Sequence, residues 1–308
     1  MIRWFYRLAF HKVWDDIAKH DQENFKKNKQ RPEIQVTDYA YLDDKNPMHH
    51  LNIVKKPTTE KLPLLIDIHG GGWLYGDKNL NLDYGKWFAD HGFMVALPSY
   101  TLAFDGTLDQ MEADIFAAIR YLMKNKDTLG FDERSIYLTG DSAGGHLAAL
   151  FLAIQQSPKL QAIYHQEPID ISIRACYFCH PAMHLKSLAF LPDKPKMNVG
   201  AVDCFMSMIC GKDYKSPDNK LYSACDLEDF GKYLKFLPPT LISSSSGDAQ
   251  ISPYTDKAYR YFKNRGFDVT YLFRCDPNFP HVHNVSLPDE PDSLEVNEAT
   301  LAFYQKAH

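Results

Sequence analysis

The sequence has no long uninterrupted apolar run, and no window approaches the roughly 18 residues that a membrane-spanning helix needs. The stretch from Met1 to His20 also lacks the pattern of a secretory leader, because charged side chains interrupt the apolar ones and no small-residue cleavage site follows. We therefore expect a cytoplasmic protein with no integral membrane association.

Cysteine is too scarce for a disulfide framework: the 308 residues include six cysteines, which we interpret as reduced thiols. Cys176 and Cys179, with His180 and His184 nearby, have the spacing of half a zinc site. Both cysteines also lie in an apolar run, in which residues three apart point to opposite faces of a strand. The sequence therefore favours a buried strand over a metal site here, and we expect no metal or cofactor.

An excess of basic charge is also absent. The net charge is −5 with both signs interspersed, which argues against nucleic acid as a partner. A chain of 308 residues can bury a sizeable core and suits a single domain over residues 1–308. We expect a small-molecule partner, and an exposed apolar helix or edge strand could support a homodimer.

Apolar strands alternate with amphipathic helices along most of the chain. This alternation predicts an α/β fold with a mostly parallel central sheet and helices on both faces. The predicted strands are 33–42, 51–54, 64–68, 93–97, 135–139, 173–179, 240–244 and 268–273. The predicted helices inside this pattern are 81–91, 108–125, 254–264 and 294–306.

Two segments fall outside this alternation. Residues 1–30 predict a helix with a broad apolar stripe, which must cover the rim of its own active site, a partner chain or a membrane interface; its acidic residues favour its own domain. The segment 181–235 has no clean periodicity and is rich in aromatic residues and methionines, among them Phe190 and Met197. We interpret it as an insertion over the carboxyl ends of the strands, where ligands bind in such sheets.

The stretch Gly140-Asp-Ser142-Ala-Gly144 has the pattern G-x-S-x-G and joins a predicted strand to a predicted helix. A serine at such a tight turn projects its hydroxyl away from the chain, and small residues must flank it two positions away. The following helix would offer backbone N–H groups to a developing negative charge. Ser142 is therefore the predicted nucleophile; the alternative is a glycine-rich turn with a bystander serine.

A serine hydroxyl needs a base to take its proton and an acid to orient that base. In this topology the acid follows the strand after the insertion and the histidine follows the last strand. Asp248 and His281 stand at these two places. Asp256 is an alternative acid inside a predicted helix, and His283 is an alternative base in the same loop as His281.

Three further histidines, His146, His180 and His184, fit a structural or substrate-facing role better than that of the base. The remaining requirement is a group of backbone donors for the oxyanion. His69-Gly-Gly-Gly-Trp73 follows a predicted strand directly, and we expect Gly71, Gly72 and Ala143 to supply the donors. The alternative for the three glycines is an ordinary tight turn.

The two motifs His69-Gly-Gly-Gly-Trp73 and Gly140-Asp-Ser-Ala-Gly-Gly145 together resemble the hormone-sensitive-lipase-like carboxylesterases of the α/β-hydrolase superfamily. The resemblance covers about residues 60–306. It implies an α/β-hydrolase fold, a serine that becomes acylated, and a first motif whose glycines help to hold the oxyanion. It also implies a cap, which falls on residues 1–30 and 181–235.

In that group the catalytic histidine is commonly followed two residues later by an aromatic residue. The sequence His281-Val-His283 has histidine at this second place, so the resemblance favours His281 as the base. The group's Tyr-Arg-Leu-Ala-Pro segment reads Tyr100-Thr-Leu-Ala-Phe104 here.

These observations predict a serine hydrolase that cleaves carboxylic esters of short or medium acyl chains through an acyl-enzyme. Ser142 would attack, His281 would carry the proton, Asp248 would orient His281, and the backbone of Gly71, Gly72 and Ala143 would stabilise the oxyanion. An amidase or peptidase with the same residues is an alternative, as are a small-molecule receptor on the same scaffold and a lipase that uses residues 1–30 at a membrane surface.

Overall fold

A computed structural model describes residues 2–188 and 199–307 of the chain. Phe190 and Met197 of the predicted insertion lie outside the described residues. The strands are β1 (Gln35–Ala40), β2 (His50–Lys55), β3 (Leu62–Ile68), β4 (Met94–Pro98), β5 (Phe131–Asp141), β6 (Ile173–Cys179), β7 (Thr240–Ser245) and β8 (Val269–Arg274). The helices are α1 (Ile2–Phe25), α2 (Leu82–Asp90), α3 (Leu108–Lys124), α4 (Lys126–Leu129), α5 (Ala143–Gln156), α6 (Pro158–Tyr164), α7 (Leu185–Leu188), α8 (Val199–Cys210), α9 (Leu227–Phe230), α10 (Ser252–Asn264), α11 (His283–Ser286) and α12 (Pro291–Lys306).

The eight strands form one sheet in the order β1-β2-β4-β3-β5-β6-β7-β8. β1 and β2 pair antiparallel to each other, and β2 is antiparallel to β4. All pairs from β4 to β8 are parallel. The carboxyl ends of β3, β5, β6, β7 and β8 therefore meet side by side at one edge of the sheet. The predicted α/β-hydrolase fold with a mostly parallel sheet is confirmed.

A separate apolar core covers each face of the sheet, because alternate residues of a strand point to opposite faces. Ile66 packs into the core formed with α3, α5 and α10, whereas its neighbour Leu65 packs into the core formed with α2 and α12. Cys176 and Cys179 of β6 belong to these two different cores. The two buried thiols thus lie on opposite faces, as the strand periodicity predicts, and cannot hold one ion together.

Helix α5, which follows the predicted nucleophile, is buried along nearly its whole length. Its apolar residues contact the sheet on one side and the cap on the other, so the helix has no polar face toward solvent. A helix of this kind can hold its amino-terminal residue in a fixed position relative to the neighbouring strands.

The segment between β6 and β7 is more regular than the sequence indicated. No helix or strand was predicted within it, but α8 is a helix of 12 residues, nine of which are buried. Most residues of α8 are apolar and buried, so the helix has no broad polar stripe and no amphipathic pattern marks it in the sequence. Phe10 of α1 contacts Phe205 of α8, with ring centroids 6.3 Å apart, so these two helices lie together over the sheet edge.

Helix α1 packs against its own chain through one face and leaves the other exposed. Trp14 stacks on Tyr75, with ring centroids 5.8 Å apart. On the opposite face, Phe5 is 63% exposed and Val13 is 55% exposed. Within the described ranges, no helix is both long and apolar enough to cross a bilayer.

Candidate active site

Ser142 lies at the turn between β5 and α5, with φ at 50° and ψ at −117°. Two close approaches explain its flanking glycines: a Cβ on Gly140 would collide with the backbone of Gly144, and a Cβ on Gly144 would overlap the carbonyl oxygen of Ile68. The strained backbone of Ser142 is held by a hydrogen bond from its N–H to the Cys179 oxygen, at 2.9 Å. The turn therefore has the geometry of a nucleophile elbow.

Asp248 follows β7 and contacts the predicted base. Its Oδ2 accepts a hydrogen bond from Nδ1 of His281 at 2.6 Å, and its Oδ1 accepts one from the Ile251 N–H at 3.1 Å. Burial by itself would raise the pKa of Asp248, but the hydrogen bonds from two histidines outweigh it and hold that pKa well below the usual value. Asp248 is thus a buried carboxylate that orients an imidazole.

The alternative residues lie elsewhere. Asp256 points along the surface of α10 and pairs with Arg260 at 2.7 Å. His283 begins α11 and packs its ring edge against Phe279, at 4.9 Å between centroids. Burial lowers the pKa of His283. Of the two histidines in this loop, His281 is the one that contacts Asp248.

A second histidine shares Asp248. His180 follows β6, is 1% exposed, and its Nδ1 lies 2.7 Å from the same Oδ2 that binds His281. The sequence assigned His180 no more than a structural or substrate-facing role. Its position could have been found from one signal, since a residue that directly follows the strand next to the nucleophile strand must lie beside the site.

The glycine motif after β3 forms a turn of three consecutive left-handed residues, Gly71 (φ 90°), Gly72 (φ 58°) and Trp73 (φ 63°). Glycine adopts this conformation without a steric penalty. Within the part of the chain that the structure describes, the N–H groups of Gly71, Gly72 and Ala143 donate to no other protein group. These N–H groups are therefore available to a ligand.

A buried polar cluster, which includes Asp141, Asn81 and Asp67, holds this turn in place through hydrogen bonds. The Gly70 N–H donates to Oδ1 of Asp141 at 3.0 Å, and the side-chain amide of Asn81 donates to the same oxygen at 2.7 Å and to Asp67 at 3.2 Å. Burial and the charge of Asp141 raise the pKa of Asp67 well above its usual value. The sequence did not indicate the role of Asn81, which lies in a loop far along the chain from Asp141.

Tyr100 also supports this turn. Its hydroxyl is within hydrogen-bonding distance of the His69 oxygen, at 2.9 Å, and of the Gly70 oxygen, at 3.1 Å. The Ala103 N–H donates to the Trp73 oxygen at 2.8 Å. The segment from Tyr100 to Phe104 therefore holds the glycine motif, even though its sequence departs from the pattern of the family that it resembles.

His146 connects the glycine motif, α5 and the cap. Its Nδ1 accepts a hydrogen bond from Nε1 of Trp73 at 3.3 Å, and its Nε2 donates to the Cys225 oxygen at 2.7 Å. Trp73 can only donate and a carbonyl can only accept, so these two bonds require the neutral ring with its proton on Nε2. Burial lowers the pKa of His146 to about 4, which is consistent with this neutral form.

Helix α1 lies directly on the glycine motif. A Cβ on Gly72 would overlap the indole ring of Trp14, so the ring lies on the backbone of Gly72. Arg7 donates to the Phe104 oxygen, and His11 stacks on the Phe104 ring at 3.7 Å between centroids. The amino-terminal helix therefore forms one wall of the site.

Two groups of side chains in the described residues could approach a metal ion. One consists of His180, Asp248 and His281, which already share hydrogen bonds. The other includes His184 and Glu228, which lie 2.9 Å apart, and Glu228 also pairs with Lys257. The third member of this group is Asp226, whose Oδ1 accepts the Lys186 N–H at 2.9 Å, so both carboxylates of the group already have protein partners.

Known esterases are similar in sequence to part of this chain. Residues 51–188 match the family model described as BD-FAE. An isoprenylcysteine alpha-carbonyl methylesterase of Arabidopsis thaliana is 30% identical over 116 residues, which cover 37% of this chain and 27% of that protein. Gut esterase 1 of Caenorhabditis elegans is 32% identical over 125 residues, covering 37% of this chain and 22% of that protein. The chain thus spans less than a third of the length of these curated relatives.

The structural similarity extends over the whole chain. The crystal structure of esterase B from Lactobacillus rhamnosis superimposes with a TM-score of 0.88 at 27% identity, and the match covers 99% of this chain and 96% of that chain. The structure of that esterase inhibited by a C4-C4 SN3 tributyrin phosphonate superimposes with a TM-score of 0.85 at 27% identity, covering 98% of this chain and 95% of that chain.

Proposed function

We propose that this chain is a serine carboxylesterase of the hormone-sensitive-lipase-like group, with Ser142, His281 and Asp248 as its catalytic residues. The observation that carries this proposal is the hydrogen bond of 2.6 Å between His281 and the buried carboxylate of Asp248, beside the strained turn of Ser142. The proposed reaction requires no metal or cofactor.

The proposed reaction begins with attack of the Ser142 hydroxyl on the ester carbonyl carbon. Asp248 occupies Nδ1 of His281, so Nε2 is the ring nitrogen that takes the hydroxyl proton. The proton then passes to the leaving alcohol as the carbonyl–oxygen bond breaks, and an acyl-enzyme remains. In the second half of the reaction, water gives a proton to Nε2 of His281 and attacks the acyl carbon. His281 then returns that proton to the Ser142 oxygen as the acyl–oxygen bond breaks, and the carboxylic acid leaves.

The negative charge of each tetrahedral intermediate would be stabilised by the N–H groups of Gly71, Gly72 and Ala143. This assignment is supported by the absence of acceptors for these N–H groups among residues 2–188 and 199–307. It is also supported by their place at the amino terminus of α5 and in the turn after β3. Loss of one such donor typically costs about two to three orders of magnitude in kcat.

We propose that the acyl chains are short or medium in length. Aromatic side chains from three segments close the site near Gly72: Trp14 lies on the glycine itself, and Trp73 contacts Phe205 with ring centroids 5.9 Å apart. The similar esterase B has been inhibited by a phosphonate with C4 chains, which agrees with a small pocket.

A cytoplasmic location is part of the proposal. Six free cysteines, five of them buried, support it, since free thiols persist in a reducing compartment.

Hydrolysis of p-nitrophenyl esters from acetate to palmitate tests this function, with Ser142→Ala as the matched variant. We expect turnover that peaks at short or medium chains, and a fall in kcat of roughly four to six orders of magnitude in the variant. Full activity of the variant would exclude Ser142 as the nucleophile. No turnover of any ester by folded protein, with turnover of matched amides, would indicate an amidase instead.

A further inference from the structure

We propose that His180 is a positioning residue for the proposed triad, which holds Asp248 through the same oxygen that binds His281. This inference rests on the proposed function for its kinetic consequence. Its structural basis is independent of that function, since the two hydrogen bonds to Oδ2 of Asp248 measure 2.7 and 2.6 Å.

The arrangement around Oδ2 has a defined geometry. The rings of His180 and His281 are inclined at 82° with centroids 5.5 Å apart, so each N–H reaches the oxygen from a different direction. Oδ1 accepts the Ile251 N–H at 3.1 Å. Three donors therefore fix both oxygens of one carboxylate. An ionised carboxylate can only accept, so Nδ1 of His180 must carry a proton.

The backbone of His180 is tied to the nucleophile as well. His180 has φ at 45°, and its N–H donates to the Ser243 oxygen at 3.0 Å. The residue before it, Cys179, accepts the N–H of Ser142, and Ala182 donates its N–H to the Ser142 oxygen, both at 2.9 Å. The turn at His180 thus links the nucleophile to the acid.

The second donor has a chemical consequence for the base. Sharing the Asp248 charge with His180 weakens the attraction of Oδ2 for a protonated His281, so His281 gives up its proton more readily to the leaving alcohol. Asp141 is a further ionisable group close enough to interact with His281. Because His180 is 1% exposed, we expect no direct contact with substrate.

Two substitutions separate the hydrogen bond from simple packing. His180→Phe keeps an aromatic ring of similar size and removes the donor. His180→Asn is smaller, but its amide N–H can take the place of Nδ1, and asparagine tolerates a positive φ better than phenylalanine does. Because the positive φ by itself disfavours phenylalanine, His180→Ala, which lacks both the ring and the donor, is compared as well. A positioning role predicts that asparagine restores what alanine loses, whereas a packing role predicts that phenylalanine is the better enzyme.

The first readout is the pH profile of kcat/KM on a short-chain p-nitrophenyl ester. In His180→Phe we expect the lower apparent pKa to rise by about half a unit to one unit, kcat to fall roughly 10-fold and KM to change less than about twofold. In His180→Asn we expect all three quantities to stay close to those of the wild type. Identical profiles for all three proteins, or higher activity in His180→Phe than in His180→Asn, would overturn the proposal.

The second readout needs no turnover. In the wild type and both variants, NMR follows the titration midpoint of the His281 ring protons, assigned with His281→Gln. A higher midpoint in His180→Phe alone supports the proposal, and equal midpoints overturn it. An inactive wild type would count against the proposed esterase function, while this titration would still decide the role of His180. If His180→Phe does not fold, His180→Ala and His180→Asn provide the same comparison.

Discussion

The neutral His146 predicts a loss of stability in mild acid. Burial lowers its pKa to about 4 from a usual value of 6.5. Between these two pH values the unfolded chain binds a proton at this histidine and the folded protein does not. The free energy of unfolding is therefore unaffected above pH 6.5, falls as the pH drops toward 4, and changes no further below 4.

The size of this effect follows from the pKa difference, since each unit corresponds to about 1.4 kcal/mol, which gives about 3 kcal/mol for His146. That is a large fraction of the total stability of a typical domain, about 5–15 kcal/mol. Burial lowers the pKa of His69 to about 4 as well, so the wild type should lose a similar amount at that site.

His146→Asn isolates the contribution of one site, because asparagine does not titrate and its oxygen can still accept from Trp73. Urea unfolding of both proteins at pH 7 and pH 4 gives the change. We expect the wild type to lose about 3 kcal/mol more than His146→Asn over this range. His165→Asn, at an exposed histidine, is the matched control and should follow the wild type. An equal loss in the wild type and His146→Asn would refute the reasoning.

Two further predictions concern Glu112 and Trp14. Glu112 is fully buried, and neither of its oxygens has a hydrogen-bond partner among the described residues. Burial raises its pKa, so the free energy of unfolding of the wild type should fall as the pH rises above about 4.5. In urea unfolding, Glu112→Leu should be about 1–3 kcal/mol more stable than the wild type at pH 8, and the difference should be smaller at pH 5. A gain that does not grow with pH would show that Glu112 is ionised. Trp14→Ala should lower kcat/KM for a butyrate ester roughly 10-fold and shift the preference toward longer acyl chains, because the indole ring lies on Gly72. Val13→Ala, on the exposed face of the same helix, should leave both quantities unchanged, and a matching effect there would indicate a general loss of helix α1.

Much of the fold could be predicted because the parallel strands are short apolar runs bounded by turns. The predicted range of β6 agrees with the structure at both ends. β5 begins earlier than predicted, at Phe131, because the three residues after Phe131 are polar and partly exposed and do not resemble a buried strand. Helix α8 was not predicted for a physical reason: nine of its 12 residues are buried and most are apolar, so its sequence lacks the polar stripe that marks an amphipathic helix.

Some residues of the candidate site could likewise be predicted from the sequence, whereas others could not. Ser142, Asp248 and His281 could be located because each follows a strand of the parallel sheet, and the structure brings Asp248 and His281 into contact. Asn81 and His180 could not be assigned roles, because their contacts with Asp141 and Asp248 join segments that are distant in sequence and belong to no local pattern. The sequence predicts which residues reach the sheet edge, whereas the hydrogen bonds between them depend on the packing.

Covalent capture at Ser142 tests the central claim most directly. The protein is incubated with a p-nitrophenyl phosphonate carrying a short alkyl chain, the release of p-nitrophenolate is measured, and the modified peptide is identified by mass spectrometry. We expect one equivalent released per protein, one phosphonyl group on Ser142, and neither in Ser142→Ala. Modification of another residue, or ester hydrolysis that survives complete labelling of Ser142, would contradict the account.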